Sequence, residues 1–136
     1  MIVNHKSQIY EFEYPHAEKI NPILHKTIEQ NLSIEDRGTK QTEWYFKSKE
    51  FDLISDYVIH KIYSEDLFAV VEVPGEYVLL TRWGMWYDRG QYQNIHDHLP
   101  CHYSFVYFVN TPKGSSSLVF SDSGKKVIPK SGHCVI

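Results

Sequence analysis

Residues 83–120 read WGMWYDRGQYQNIHDHLPCHYSFVYFVNTPKGSSSLVF, and this stretch decides the predicted fold. Short aromatic or alternating runs are separated by turn-forming groups such as Asp88-Arg89-Gly90 and Thr111–Gly114. This punctuation is typical of short strands. Strands are therefore predicted over Leu67–Val73, Glu76–Trp86, Gln91–His98, Tyr103–Asn110, Ser116–Phe120, Lys125–Pro129 and His133–Ile136. Strands at this spacing indicate an antiparallel barrel or a two-sheet sandwich.

The chain before this region mixes strand and helix patterns. Gln8–Tyr14 alternates with a period of two, which predicts a strand. A helix is predicted to begin at Asn21-Pro22, with Asn21 as its cap, and a second amphipathic helix spans about Glu50–Tyr63. Between them, Thr42–Phe46 is predicted to be a short strand. The predicted fold class is mainly β with N-terminal helices, in which a helical layer supports a β-sandwich.

Length and composition limit the class of protein. The 136 residues and 16.0 kDa suit one domain over residues 1–136, and 42% hydrophobic content indicates a globular chain. The formal charge of -3 gives no reason to expect nucleic acid as a partner, and the short apolar runs give none to expect a membrane. Cys101 and Cys134 are too few for a disulfide framework, which predicts a reducing cytoplasm.

The strongest chemical signal is a cluster of histidines. His96, His98 and His102 fall within seven residues. On a strand, His96 and His98 would point to the same face, about 6.5–7 Å apart at their Cα atoms. Two imidazoles at that separation can meet at one metal ion, with nitrogen–metal distances of about 2 Å. The pattern predicts two metal ligands, and a further ligand must come from another part of the chain.

The region Trp83–Ile136 resembles the Fe(II)/2-oxoglutarate-dependent oxygenases, in particular the small prolyl-4-hydroxylase-like members of phages and bacteria. The resemblance rests on an ordered series of motifs. These are Tyr87, Gly90-Gln91, His96-Asp97-His98, Ser104–Asn110, Gly114, Phe120 and Pro129–Gly132. The family implies a double-stranded β-helix, or jelly-roll, core supported by two helices.

The resemblance also implies cofactors and roles. His96 would be the first iron ligand, and His98 stands where the family has the aspartate of its H-x-D motif. Tyr87 would hydrogen-bond 2-oxoglutarate. The implied cofactors are Fe(II) and 2-oxoglutarate, and the implied reaction is hydroxylation of a substrate coupled to oxidative decarboxylation of 2-oxoglutarate. The substrate class is a small molecule or a peptidyl group.

Two family features lie beyond the matched motifs. The distal histidine and the basic residue that anchors 2-oxoglutarate occur after the turn that Pro129–Gly132 resembles, and this sequence continues for four residues after Gly132. His133 falls too early for the distal position. The expectation is either an oxygenase domain that lacks its last barrel strands or a degenerate member of the family, with the third ligand and the 2-oxoglutarate anchor unidentified.

Two alternatives stay open at this stage. A cupin shares the jelly-roll core, and Gly90 followed by His96-x-His98 matches the opening of its metal motif, with His102 near the position of its glutamate. A non-catalytic jelly-roll binding module is the other alternative. Its supply of exposed aromatic residues would be Trp83, Trp86, Tyr87 and Tyr92.

Overall fold

The computed structural model describes residues 7–36, 38–65, 67 and 75–136. These residues form two helices and eight short strands. The elements are β1 (Glu11–Glu13), α1 (Ala17–Gln30), β2 (Ile34–Asp36), β3 (Thr39–Gln41), α2 (Lys49–Ser64), β4 (Met85–Trp86), β5 (Val106–Tyr107), β6 (Leu118–Val119), β7 (Lys126–Val127) and β8 (His133–Val135). The described part is a mixed α/β structure.

The jelly-roll prediction is wrong for the described residues. Their strands form three small separate antiparallel sheets, with the orders β1-β8-β5, β2-β3-β4 and β6-β7. Neither two facing sheets nor a closed β-helix is present among them. The cupin alternative loses the fold on which it depended, and the class "mainly β" is replaced by mixed α/β.

The predicted strands fail mainly because their residues have no ladder partner. Of Glu76–Trp86 only Met85–Trp86 is a strand, and Gln91–His98 contains none. Every residue from Tyr92 to Pro100 is exposed, so this segment has no buried face to stabilise a sheet position. The predicted strand over Leu67–Val73 lies outside the described residues, apart from Leu67.

Helix α1 begins earlier than predicted. The His16 carbonyl accepts hydrogen bonds from the amides of Lys19 and Ile20, so Pro22 lies inside the helix. Asn21 is not its cap. Instead, its Nδ2 donates to the Val109 carbonyl at 3.0 Å and its Oδ1 accepts from the Tyr107 hydroxyl at 2.7 Å. The residue predicted to start the helix therefore ties it to the segment around β5.

Helix α2 matches its prediction closely. Ser48 is the N-cap, and its hydroxyl accepts a hydrogen bond from the Phe51 amide at 3.1 Å. The predicted strand Thr42–Phe46 is wrong, because the strand is β3 and the following residues turn, with Tyr45 at φ +62°. This turn is held by backbone hydrogen bonds from Thr42 to Gly84 and from Phe46 to Arg82.

The core lies between the two helices and the sheet that contains β8. Leu24, Thr42 and Cys134 are fully buried side chains. Strand β8 is the central strand of its sheet, and Cys134 pairs with Phe12 on one side and Tyr107 on the other. The main core side chains from the helices are Ile20, Leu24, Ile28, Phe51, Ile54, Val58 and Ile62. Neither α1 nor α2, the helices found in the described ranges, is long and apolar enough to cross a membrane.

Burial of the Cys134 thiol and the Tyr107 hydroxyl predicts that the folded protein loses stability at alkaline pH. Burial raises the pKa of the Cys134 thiol from its ordinary 9.0 to about 12, and mainly burial raises the pKa of Tyr107 from 10.0 to about 12. Above pH 9 the unfolded chain releases protons that the folded chain retains, so the free energy of unfolding falls as the pH rises. We expect urea unfolding to show a decline that starts near pH 9 and continues to about pH 12.

The Cys134→Ala variant provides the control for this pH dependence. It lacks the Cys134 thiol, which titrates before Tyr107 in the unfolded chain, whereas Tyr107 remains. Its stability at neutral pH will be lower because a buried side chain is truncated, but its decline should begin nearer pH 10, the ordinary pKa of tyrosine. An unchanged onset near pH 9 would show that Cys134 does not cause the first part of the decline.

Candidate functional site

The histidine segment follows a turn that is fixed to the hairpin of β2 and β3. The Gln91 amide donates to the Asp88 carbonyl at 3.1 Å, and the Asp88 amide donates to the Gln91 side chain at 2.7 Å. The Gln91 side chain also donates to the Gly38 carbonyl. Gly90 in this turn has φ +83°, a conformation that favours glycine. These contacts fix the start of the exposed segment that carries His96 and His98.

His96 and His98 do come together, although not on a strand. Their ring centroids are 4.9 Å apart, with the ring planes at 83°. The His96 Nδ1 lies 2.7 Å from the Asn94 carbonyl oxygen. Because a carbonyl oxygen can only accept, Nδ1 carries the proton and the lone pair of a neutral ring lies on Nε2. This carbonyl–imidazole arrangement is the one that orients metal-binding histidines in proteins.

The surroundings of His98 favour its neutral form. Although the His98 side chain is exposed, partial desolvation lowers its pKa from the ordinary 6.5, and the neighbouring His96 lowers it further, while Asp97 acts in the opposite direction. A neutral imidazole is the form that binds a metal ion. The lowered pKa therefore makes the His98 ring more suited to act as a ligand.

A pair of tryptophans lies beside the histidines. The Trp83 ring is 6.2 Å from the His98 ring and 4.3 Å from the Trp44 ring, centroid to centroid. The Trp83 indole donates to the Met85 sulfur at 3.0 Å, which orients it. Trp44 is half-exposed. An apolar wall of two indoles thus adjoins one of the two imidazoles.

Tyr87 is placed near the start of the same segment. Its side chain is half-exposed, and partial burial raises the pKa of its hydroxyl. The hydroxyl is therefore protonated and can donate a hydrogen bond across the neutral pH range. Among the described contacts, none joins Tyr87 to His96 or His98. The role of Tyr87 toward 2-oxoglutarate stays a prediction.

Among the described residues, no third candidate ligand joins the two histidines. No group of three or more His, Cys, Asp or Glu side chains in residues 7–36, 38–65, 67 and 75–136 is arranged to hold a metal ion. Asp97 accepts a hydrogen bond from the Leu99 amide at 3.2 Å, and the His102 ring packs at 6.3 Å from Tyr77. His102 therefore does not join the pair, contrary to its place in the cupin pattern.

Sequence reasoning missed two residues of this region. Trp44 is separated from Trp83 by 39 positions, and no periodic pattern links them. They meet because Thr42 bonds to Gly84 twice, through its amide and through its side-chain oxygen, which accepts from the Gly84 amide at 3.0 Å. Asn94 contacts the His96 ring through its backbone carbonyl, so the identity of its side chain does not predict this contact. The three aromatic residues of Trp44–Phe46 in a turn were the only local indication.

Comparison with known proteins gives no relative from which to transfer a function. No protein-family model matches the chain, and neither the curated proteins nor the solved structures contain a match to it. The function is therefore inferred from the chain's own residues.

Proposed function

We propose that the protein is an Fe(II)- and 2-oxoglutarate-dependent oxygenase that hydroxylates a small molecule or a peptidyl group, with His96 and His98 as iron ligands. The observation that carries the proposal is the convergence of the two imidazoles, with the Nε2 of His96 freed by the Asn94 carbonyl. The order of motifs from Tyr87 to Gly132 supports it. The jelly-roll that the resemblance implied is absent from the described residues, so the proposal rests on the histidine pair and the order of motifs and has no support from the fold.

The donor set fits a divalent transition metal in part. Two neutral imidazoles suit Fe(II), and few protein ligands leave positions for other oxygen donors. The described residues do not provide the third protein ligand that the family has. The keto and carboxylate oxygens of 2-oxoglutarate are additional donors, so the two-histidine site is compatible with this co-substrate.

Each residue of the candidate site has a task in this proposal. His96, oriented by the Asn94 carbonyl, and His98, kept neutral by its surroundings, would bind the metal. Trp83 beside His98 would limit the access of water on that side. The protonated Tyr87 hydroxyl would donate to a carboxylate of 2-oxoglutarate. The bound cofactors would supply oxidative decarboxylation coupled to C–H hydroxylation.

We also propose that the protein is located in the reducing cytoplasm. Cys101 and Cys134 are both free thiols in the structure. Fe(II) is also the reduced form of the metal, and a reducing compartment preserves it. The expected partners are the metal, the co-substrate and a small-molecule or peptidyl substrate, without nucleic acid or membrane.

The test of this function is optical. Anaerobic addition of Fe(II) and 2-oxoglutarate to the full chain should produce a visible metal-to-ligand charge-transfer band. Succinate, which lacks the keto group, should not produce it with Fe(II). The absence of a band together with tight binding of Zn(II) or Mn(II) would contradict the oxygenase and leave a metal-binding protein.

A non-catalytic binding module is the second candidate function. The observation that favours it is the tilted stack of Trp44 on Trp83, since half-exposed indoles on a surface are typical of ligand or protein recognition. The charge-transfer experiment separates the two functions, because a binding module with inert histidines would show neither a band nor saturable Fe(II) binding.

A further inference from the structure

A cavity of about 190 Å³ is lined by none of the histidines and carries a different chemistry. Its walls come from the turn after β3, the first turn of α2 and the segment before β4. The lining residues are Tyr45, Lys47, Asp52, Leu79, Leu80, Thr81 and Arg82. None of them is a predicted ligand of the metal. The volume equals about six waters, which limits a ligand to a very small molecule.

Arg82 gives the cavity a fixed positive charge. Its side chain is 11% exposed, and its Nε donates to the Phe46 carbonyl at 2.9 Å. One terminal nitrogen donates to the Ser55 hydroxyl at 3.0 Å, and the other to Asp52. Arginine has five N–H donors, so these bonds leave two for a ligand. The guanidinium is held in place before any ligand enters.

Lys47 makes the cavity net positive. Asp52 neutralises Arg82 through their ion pair, whereas Lys47 has no ion pair within the part of the chain that the structure describes. The three charged groups that line the cavity therefore sum to one positive charge. A ligand with one negative charge would balance it.

Thr81 adds an unused polar group. Its hydroxyl oxygen is buried and has no hydrogen-bond partner among the described residues. A buried hydroxyl without a partner destabilises the folded state, unless a water or a ligand completes it. This hydroxyl is fully buried beneath the wall of the cavity, so a ligand in the cavity does not contact it, and Thr81 serves as a control residue.

The remaining walls are apolar. Leu79, Leu80 and the ring of Tyr45 face the same space, so a ligand that is charged throughout would leave them unmatched. Tyr45 lies in the turn after β3 in a left-handed conformation, φ +62°, which is rare for an aromatic residue. The cavity thus combines a cationic end with aliphatic and aromatic walls.

We propose that this cavity binds a short aliphatic monocarboxylate, with its carboxylate at Lys47 and Arg82 and its alkyl chain against Leu79, Leu80 and Tyr45. Butyrate has six non-hydrogen atoms and matches the volume. This site is separate from the proposed oxygenase function and does not depend on it.

The test compares butyrate with the neutral, equally shaped butyramide by calorimetry on the full chain. Butyrate should bind saturably, and butyramide at least about tenfold more weakly, because it lacks the charge. Inorganic phosphate should bind more weakly than butyrate, since it cannot fill the apolar part. Equal binding of butyramide, or tighter binding of phosphate, would overturn the proposal.

Three variants locate the site. Lys47→Gln should lower the butyrate affinity about tenfold, whereas Lys113→Gln, which removes the same charge from an exposed turn outside the cavity, should not change it. Thr81→Val should leave the affinity unchanged, because the ligand does not reach this hydroxyl, and should leave the melting temperature of the free protein unchanged or higher, because a buried polar group without a partner is removed. Equal effects of Lys47→Gln and Lys113→Gln would overturn the proposal.

The His96→Ala variant keeps this result distinct from the metal chemistry. It should bind butyrate like the original protein, because His96 does not line the cavity. Butyrate binding that is lost in His96→Ala would place the carboxylate at the histidines and overturn the separate site.

Discussion

The His96→Ala variant is expected to lose at least about a hundredfold in Fe(II) affinity. Loss of an outer contact that merely orients a metal ligand costs about 10–100-fold, and removal of the ligand itself costs more. His96 is also the ring whose tautomer is fixed, through the 2.7 Å contact with the Asn94 carbonyl. Anaerobic Fe(II) titration followed by calorimetry, with and without 2-oxoglutarate, measures the loss.

His98→Ala and His102→Ala provide the matched comparison. His98→Ala should resemble His96→Ala, because the two rings are neighbours at 4.9 Å. His102→Ala removes an exposed imidazole from the same segment, but its ring contacts Tyr77 instead of the pair, so the Fe(II) affinity should change little. Unchanged iron affinity in His96→Ala would contradict the metal site and favour the binding module.

The helices show how far sequence patterns reach. The prediction of α2 succeeds because its apolar residues repeat at helical spacing and Ser48 precedes them as a cap. The start of α1 was misplaced because Asn21-Pro22 has the composition of a helix start. Tertiary hydrogen bonds to Val109 and Tyr107 give Asn21 another use, and no local pattern could reveal them.

The strands show where patterns fail. Alternation identifies a chain that could bury one face, but a strand also needs a partner at the right register. Residues 103–110 are rich in aromatic and β-branched residues, yet only Val106–Tyr107 forms a strand, paired with Val135 and Cys134 of β8. The pairing of β1 with the same β8 joins residues more than 100 positions apart. Such pairing depends on packing against the helices, so the sequence of either segment alone does not predict it.

The candidate site was predictable only in its local part. The H-x-H spacing indicated two converging imidazoles, and they do converge, but through an irregular segment with a hydrogen bond to the Asn94 backbone. The Trp44–Trp83 pair and the Arg82 cavity depend on contacts between distant segments. Arg82 drew no attention in the sequence because a single arginine beside aromatic residues carries no motif.

Gly132→Ala should destabilise the folded protein by about 3 kcal/mol. Gly132 has φ +85°, and a Cβ at this position would lie 2.7 Å from the Ala17 Cβ at the start of α1. The left-handed conformation costs about 1–2 kcal/mol for a residue other than glycine, and forcing an extra carbon into a packed site costs about 1–3 kcal/mol. Urea unfolding measures the loss.

Gly114→Ala separates the two causes of this loss. Gly114 has a similar φ of +90°, but no atom lies within 4 Å of the position of an added Cβ, so its substitution should cost only about 1 kcal/mol. The backbone of Gly132 is also held on two sides. Its amide donates to the Phe108 carbonyl and its carbonyl accepts from the Tyr14 amide, each at 2.8 Å. The backbone therefore cannot easily move away from Ala17. Adding Ala17→Gly to Gly132→Ala should therefore recover about 1 kcal/mol in a double-mutant cycle. Equal losses for Gly132→Ala and Gly114→Ala, with no recovery, would show that α1 moves freely against the turn before β8.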